Sequence, residues 1–283
     1  MSWLRERWLD IVAEEGSTRS MALLRILMAF TLWSRFAKEL MPFRSLEDPA
    51  FVAVGIVFYI ATTTMAVGFF TRTSMAAVTG VLAALVWGFE GNGSDPSAYT
   101  HHHTTMHLLS MAWLALTPAG KSLSIDRWLA LGRAERHGGP IPLEVGATWA
   151  RYLMGAQVAT LYLWSAIDKL QRNFLDGTSL QHLVMRYYTG AALPDETWFV
   201  ALCAFCGTAT VVLELVLVVG LFIPRTHKVL MPLGILMHAL FYVLIPVNTF
   251  TVLMITLYLA YLPPQTVHDA IDRLLAPPTP SPT

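Results

Sequence analysis

The stretch LYLWSAIDKLQRNFLDG, residues 161–177, puts Asp168 and Lys169 where an apolar helix gives way to a polar turn. Neighbouring residues on a helix point about 100° apart and do not pair with each other. Lys169 therefore needs another partner or a wet pocket. Two readings follow from its chemistry. A lysine held in an apolar pocket can act as a neutral base. A lysine near a helix end can instead lift its ammonium to the lipid headgroups.

A second cluster is YTHHHTTMHLL, with His101, His102 and His103 in a row and His107 one turn beyond His103. His103 and His107 share a helix face. That spacing could seat a metal. No acidic or cysteine ligand stands beside them and no HExxH is present, so no metal is predicted and hydrogen-bonding or acid/base histidines are expected. Cys203 and Cys206 form the chain's one CxxC. Their i, i+3 spacing points to a reversible thiol pair, or to two small buried side chains. Glu214 lies deep in VVLELVLVV and is expected to pair with Arg25 or Arg151, each embedded in an apolar segment. His238 is expected either to line the same cavity or to bond a backbone carbonyl in the core.

The elements that must hold these groups are membrane helices. The 283 residues are 55% hydrophobic and 13% charged, with a mean hydropathy of +0.52. Soluble domains are typically about 25% charged. The composition therefore predicts an all-α, polytopic membrane bundle. A formal net charge of +0 gives no electrostatic support for nucleic-acid binding. The N-terminus has mixed charge and no short apolar stretch followed by a cleavage site, so no signal peptide is expected.

Eight apolar segments are predicted, at about 20–41, 51–71, 74–89, 104–118, 147–169, 196–223, 229–246 and 248–262. Alternating their connections puts eleven Lys and Arg on the side of the N-terminus and six on the other, with Arg25 and Arg151 inside spans. This bias predicts both termini in the cytoplasm of a multi-pass inner-membrane protein. Residues 1–19 read as an amphipathic N-terminal segment, 20–262 as the membrane domain and 263–283 as a largely disordered cytoplasmic tail. The connection 119–146 reads as an interfacial helix followed by a Gly/Pro turn. On the outer side, Leu180, Leu183, Val184 and Tyr187 fall on one face of a helix that lies on the outer surface or folds into a vestibule.

Three stretches together resemble the HTTM family, which includes the membrane region of the vitamin K-dependent gamma-glutamyl carboxylases. They are MALLRILMAF at 21–30, HHHTTMHLLSMAWLALTPAGKSLSIDRWL at 101–129 and LYLWSAIDKLQRNFLDGTSLQHL at 161–183. The resemblance implies a membrane-embedded lysine that deprotonates a reduced quinone, and Lys169 matches it. It also implies a histidine supporting the quinone chemistry. His103 fits that role by its distance from Asp126 in SID, and His238 matches a late-span histidine of the family. The implied site has Lys169, His103 and Asp168 at the reacting centre, with Tyr162, Trp164, His107 and His238 facing the cofactor. That cofactor would be a menaquinol-like reduced quinone, with O2 and CO2 as co-reactants.

Two departures stand out. The carboxylase carries a large lumenal domain after its membrane region, whereas this sequence runs about twenty residues past its last apolar segment. Asp168 stands where the carboxylase is basic. The resemblance so adjusted implies quinol chemistry on a secreted peptide, or with a partner membrane or periplasmic protein. Membrane lipids are the other expected partner. Two alternatives stand beside it: a thiol–quinone oxidoreductase using Cys203 and Cys206, and a non-enzymatic membrane partner or immunity protein.

Overall fold

The computed structural model describes residues 2–42, 48–88, 102–188, 190, 196–244 and 248–276, and the side chains of 2–5, 7, 8, 102, 187 and 248 are not described. His101, Glu90, Arg44, the PVN break and the final PPTPSPT all fall wholly or partly outside these residues. The described elements are almost entirely helical, as expected. One pair of short strands was not anticipated. The chain divides into two compact units, Met1–Leu153 with Leu262–Thr283, and Met154–Tyr261.

The first unit contains α1 (Ser2–Ala13), β1 (Glu15–Ser17), α2 (Arg19–Phe36), α3 (Pro49–Val67), α4 (Thr71–Gly88), α5 (His102–Ala115), α6 (Ile125–His137), β2 (Val145–Ala147) and α13 (Pro264–Leu275). β1 and β2 pair antiparallel, with Gly16 opposite Gly146. The helix ends follow their local sequence. Asp48 caps α3, its carboxylate accepting from the amides of Ala50 and Phe51 at 3.0 and 3.2 Å, with Pro49 in the first turn. Gly68, at φ 71°, closes α3 in the left-handed conformation. Ser124 caps α6 by accepting from Arg127 N at 3.0 Å. The core of this unit is apolar, with Met28, Leu32, Phe36, Phe58, Met65 and Leu82 fully buried.

The segment expected to be an unordered tail begins with helix α13. Its first residues pack against α2 and β1, and Arg19 of α2 bonds Asp272. The helix expected within 119–146 is present as α6, none of whose residues is buried. Trp128 is 70% exposed and Ile141 and Leu143 beyond it are 72% and 73% exposed.

The second unit contains most of α7 (Ala150–Lys169), then α8 (Arg172–Leu175), α9 (Thr178–Tyr188), α10 (Thr197–Gly220), α11 (His227–Leu244) and α12 (Asn248–Leu257). α9 is the helix expected after Lys169. Helix α10 buries Cys203, Gly207, Val211, Glu214, Leu217 and Gly220, a single stripe at helical spacing. Its opposite face stays apolar and open, with Phe205 71%, Val212 55% and Val219 63% exposed. Large apolar side chains left open along a helix are what a lipid environment requires.

Among the described residues, three helices are long and apolar enough to cross a membrane: Pro49–Val67, Thr197–Gly220 and Pro224–Leu244. Thr249–Ala260 and Pro264–Leu275 make a fourth candidate if they count as one broken span. The eight expected spans are thus not found as eight qualifying helices. α5 has 14 residues and α12 has 10, both short of the roughly 20 that a perpendicular crossing needs. α2 and α7 are long enough but carry three charged residues each: Arg19, Arg25 and Arg35 in one, Arg151, Asp168 and Lys169 in the other.

Candidate functional site

In the second unit, α7 ends on Lys169 and its Nζ turns back along its own helix. The ammonium donates to Oε1 and Oε2 of Glu214 at 3.0 and 3.1 Å, to the backbone carbonyl of Ser165 at 3.3 Å and to Ser165 Oγ. Ser165 Oγ donates in turn to Glu214 Oε1 at 3.0 Å. Glu214 is 3% exposed at its side chain and Lys169 21%. The carboxylate is therefore sealed, while the lysine side chain is partly exposed. This overturns the expected pairing of Glu214 with Arg25 or Arg151. The partner is the lysine one buried stripe away, which satisfies both groups at once.

A second buried set lies on the same α7 face. Tyr162 is one turn before Ser165, and its hydroxyl is 2.7 Å from His238 Nε2 and 2.6 Å from the Tyr258 hydroxyl. All three side chains are at most 3% exposed. Gly234 makes room for this arrangement, because a Cβ there would stand 2.0 Å from the Tyr258 hydroxyl. The His238 ring is flanked by Phe241 and Phe250 at 6.0 and 6.1 Å between centroids. Its Nδ1 is buried and has no hydrogen-bond partner.

The turn after the lysine has its own logic. Asp176 Oδ1 accepts from Thr178 N at 3.0 Å and so caps α9. That bond, with a second from the Thr178 side chain, holds the exposed Asp176 carboxyl below the usual carboxylate range. Gly177 sits at φ 86°, where a Cβ would come within 2.4 Å of Ala204 N. Phe174 backs onto Gly207, whose absent Cβ would meet Phe174 O at 2.6 Å, and the Phe174 ring lies 6.0 Å from Lys169 Nζ. The aromatic and the Asp-Gly pair thus clamp the end of α7 to α10, which carries Glu214.

Other expected members of the site stand elsewhere. Asp168 is exposed and Trp164 is 65% exposed. Cys203 is buried, Cys206 is half-buried and both are free thiols. They lie on an unbroken helix, where i, i+3 Cβ atoms stand about 5–6 Å apart. A disulfide needs about 3.8 Å, so closing one requires the helix to bend.

His103 and His107 belong to the first unit. His103 is half-buried. His107 is fully buried, its Nδ1 donating to His103 O at 2.8 Å and its ring meeting the edge of Phe36 at 5.7 Å. That bond leaves Nε2 of the neutral ring as a bare acceptor, and it has no partner. Of the two, His107 offers the sealed, unpaired nitrogen.

The same unit accounts for the two arginines. Arg25 is 0% exposed and donates to the carbonyls of Ala119 and Leu123 at 2.7 and 2.6 Å. Asp126 of the SID motif accepts from Phe70 N, Thr71 N and Thr71 Oγ1 at 2.9, 2.8 and 2.7 Å. Together they pin the α3–α4 turn to residues 119–126. Arg151 bonds Glu14 and Tyr152. Each arginine is bonded to partners other than Glu214.

Sequence reasoning missed Ser165, Tyr258 and Gly234. Ser165 carried a signal, standing one turn from both Tyr162 and Lys169. Tyr258 and Gly234 carried none, since only the packing of α11 against the turn after α12 brings them together.

No curated protein and no solved structure matches the chain. The family model for the HTTM domain matches residues 18–265, which takes in both the Arg25–Asp126 pin and the Lys169–Glu214 pair. The stretches that suggested the resemblance are thus parts of one domain, and the chain belongs to the HTTM family, a membrane domain linked to the vitamin K-dependent carboxylases.

Proposed function

We propose that this protein is a multi-pass inner-membrane enzyme that uses a reduced quinone of the menaquinol type, with Lys169 as the base. The observation that carries the reading is the partly exposed Lys169 side chain, its amine fixed by Ser165 and the sealed Glu214, on the helix face that also holds Tyr162 against His238. A hydroquinone is a flat apolar ring with two hydroxyls, each of phenol-like acidity near pKa 10. Taking such a proton at neutral pH needs a fixed base in a site poor in water.

The residues fit this ligand. Lys169 supplies the base, the bare His238 Nδ1 a polar contact for a hydroxyl, and Phe241, Phe250 and Tyr258 aromatic surroundings. When bound, the reduced quinone supplies electrons to O2, and CO2 is the unit that a carboxylation consumes. Lys169 takes and holds the proton, Ser165 and Glu214 orient its amine, and the clamp at Gly177 keeps α7 in register. The acceptor of the chemistry is a secreted peptide or a partner protein. The exposed Trp128, Ile141 and Leu143 around α6 rest in the membrane surface.

The thiol reading has less support, because Cys203 and Cys206 need a bent helix to join. The test is quinone content and turnover. The purified protein should retain a quinone, and Lys169→Ala should abolish quinol oxidation while the protein stays folded. Unchanged oxidation in that variant, or full function in Lys169→Gln, would sink the proposal in favour of a non-enzymatic membrane partner.

A further inference from the structure

We infer that Glu214 is a positioning and proton-storing residue: the proton on Lys169 passes to the Glu214 carboxylate, and this transfer frees the amine to act as the base. The inference rests on the reading of Lys169 as base and says how that base is made available.

As it stands, Lys169 is built to be an ammonium. Three acceptors surround Nζ: the Glu214 carboxylate through both oxygens, Ser165 Oγ and the Ser165 carbonyl. It also sits at the C-terminal end of α7, where the helix dipole favours positive charge. An ammonium has no lone pair, so a lysine so held takes no proton until it has given one up.

Glu214 is the group placed to receive it. Its oxygens are 3.0 and 3.1 Å from Nζ, within hydrogen-bond reach, and its side chain is 3% exposed. Sealed from water, a carboxylate and an ammonium gain little from staying charged once a second anion competes for the ammonium. The step balances. One N–H bond of the ammonium breaks and an O–H bond forms on Glu214 Oε, leaving a neutral amine and a neutral acid. The amine lone pair then takes the proton of the ligand hydroxyl and is again an ammonium. The oxyanion so left replaces the Glu214 carboxylate as its counter-ion. Charge within the site is conserved throughout: one positive and one negative group before and after. Ser165 can follow the change by rotating its hydroxyl, since it donates to Glu214 Oε1 at 3.0 Å while accepting from Nζ.

The test is infrared difference spectroscopy of the full-length protein in detergent, before and after adding short-chain menaquinol under argon. Retention of menaquinol on a desalting column is followed by its ultraviolet absorbance. Wild type should retain menaquinol and gain one protonated-carboxyl band. Glu214→Gln should lack the band, and Glu214→Asp should restore it at a shifted frequency. In Lys169→Met the buried acid has no counter-ion, so its band should be present before menaquinol is added and should not grow. Menaquinol retained by wild type with no new carboxyl band, or a band that survives in Glu214→Gln, overturns proton storage on Glu214 while leaving Lys169 a candidate base. Failure of wild type to retain menaquinol overturns the base reading, and this inference with it.

Discussion

Replacing Lys169 and Glu214 by methionine, singly and together, tests whether the two are one energetic unit. At 3.0 Å and an effective dielectric of about 20, the Coulomb attraction is about 5–6 kcal/mol. Desolvating both groups offsets much of it, which is why removing one member of a buried pair costs about 3–5 kcal/mol: the survivor is left without its counter-ion. Lys169→Met leaves Glu214, 3% exposed, to be neutralised by a proton. Glu214→Met strands an ammonium that is 21% exposed and keeps its bonds to Ser165, so its cost should fall at the lower end of that range. The double variant strands nothing. Methionine is unbranched and fills irregular space, so the double variant should unfold within about 1–2 kcal/mol of wild type, giving a coupling of about 4–7 kcal/mol. Unfolding in mixed detergent micelles, followed by tryptophan fluorescence, reads all four proteins. Costs that simply add in the double variant would show that the contact contributes nothing as a pair.

Other expectations rest on separate contacts. Gly234→Ala puts a methyl 2.0 Å from the Tyr258 hydroxyl, inside a buried Tyr162–His238–Tyr258 set; overpacking of this kind costs about 1–3 kcal/mol, to be measured as a fall in unfolding midpoint. Arg25→Lys leaves one point donor where a fork spans the Ala119 and Leu123 carbonyls, and the loss should be about 2–4 kcal/mol by the same measurement. The Asp176 carboxyl is held below the usual range by the Thr178 amide, so its support of α9 is complete above the unfolded carboxyl pKa of about 4 and is lost as pH falls through the lower folded value. Hydrogen exchange of the first α9 amides should quicken over that acid range, and Asp176→Asn should remove the pH dependence.

Several of these contacts could be read in the sequence, and the reason is local. Asp48-Pro49, Ser124 and Gly138 mark helix ends through backbone chemistry that is complete within four residues. Lys169 and Glu214 were each conspicuous, because a charge in an apolar helix demands an explanation. Their pairing was not legible. Nothing in either stretch says which buried cation meets which buried anion, and Arg25 was satisfied by two carbonyls that no pattern announces. The span count is not confirmed for a related reason. Hydropathy marks α5 and α12 as apolar, while the described helices have 14 and 10 residues. The β1–β2 pair was invisible because three-residue strands joined across about 130 residues leave no periodicity.

The place of Lys169 on its helix bears on the two roles open to it from the start. A snorkelling lysine extends past the helix end and leaves its ammonium to water or headgroups. Here Nζ folds back one turn to Ser165 and is held by Glu214 from α10. Holding it there costs desolvation of both groups, and stability alone would be served as well by two apolar side chains. The clamp that fixes this geometry is also expensive, requiring Gly177 at φ 86° and Gly207 against Phe174 O at a distance no side chain permits. A buried pair that adds little stability, held by a turn that tolerates no Cβ, is the arrangement expected where the position of an amine matters more than the stability of the fold.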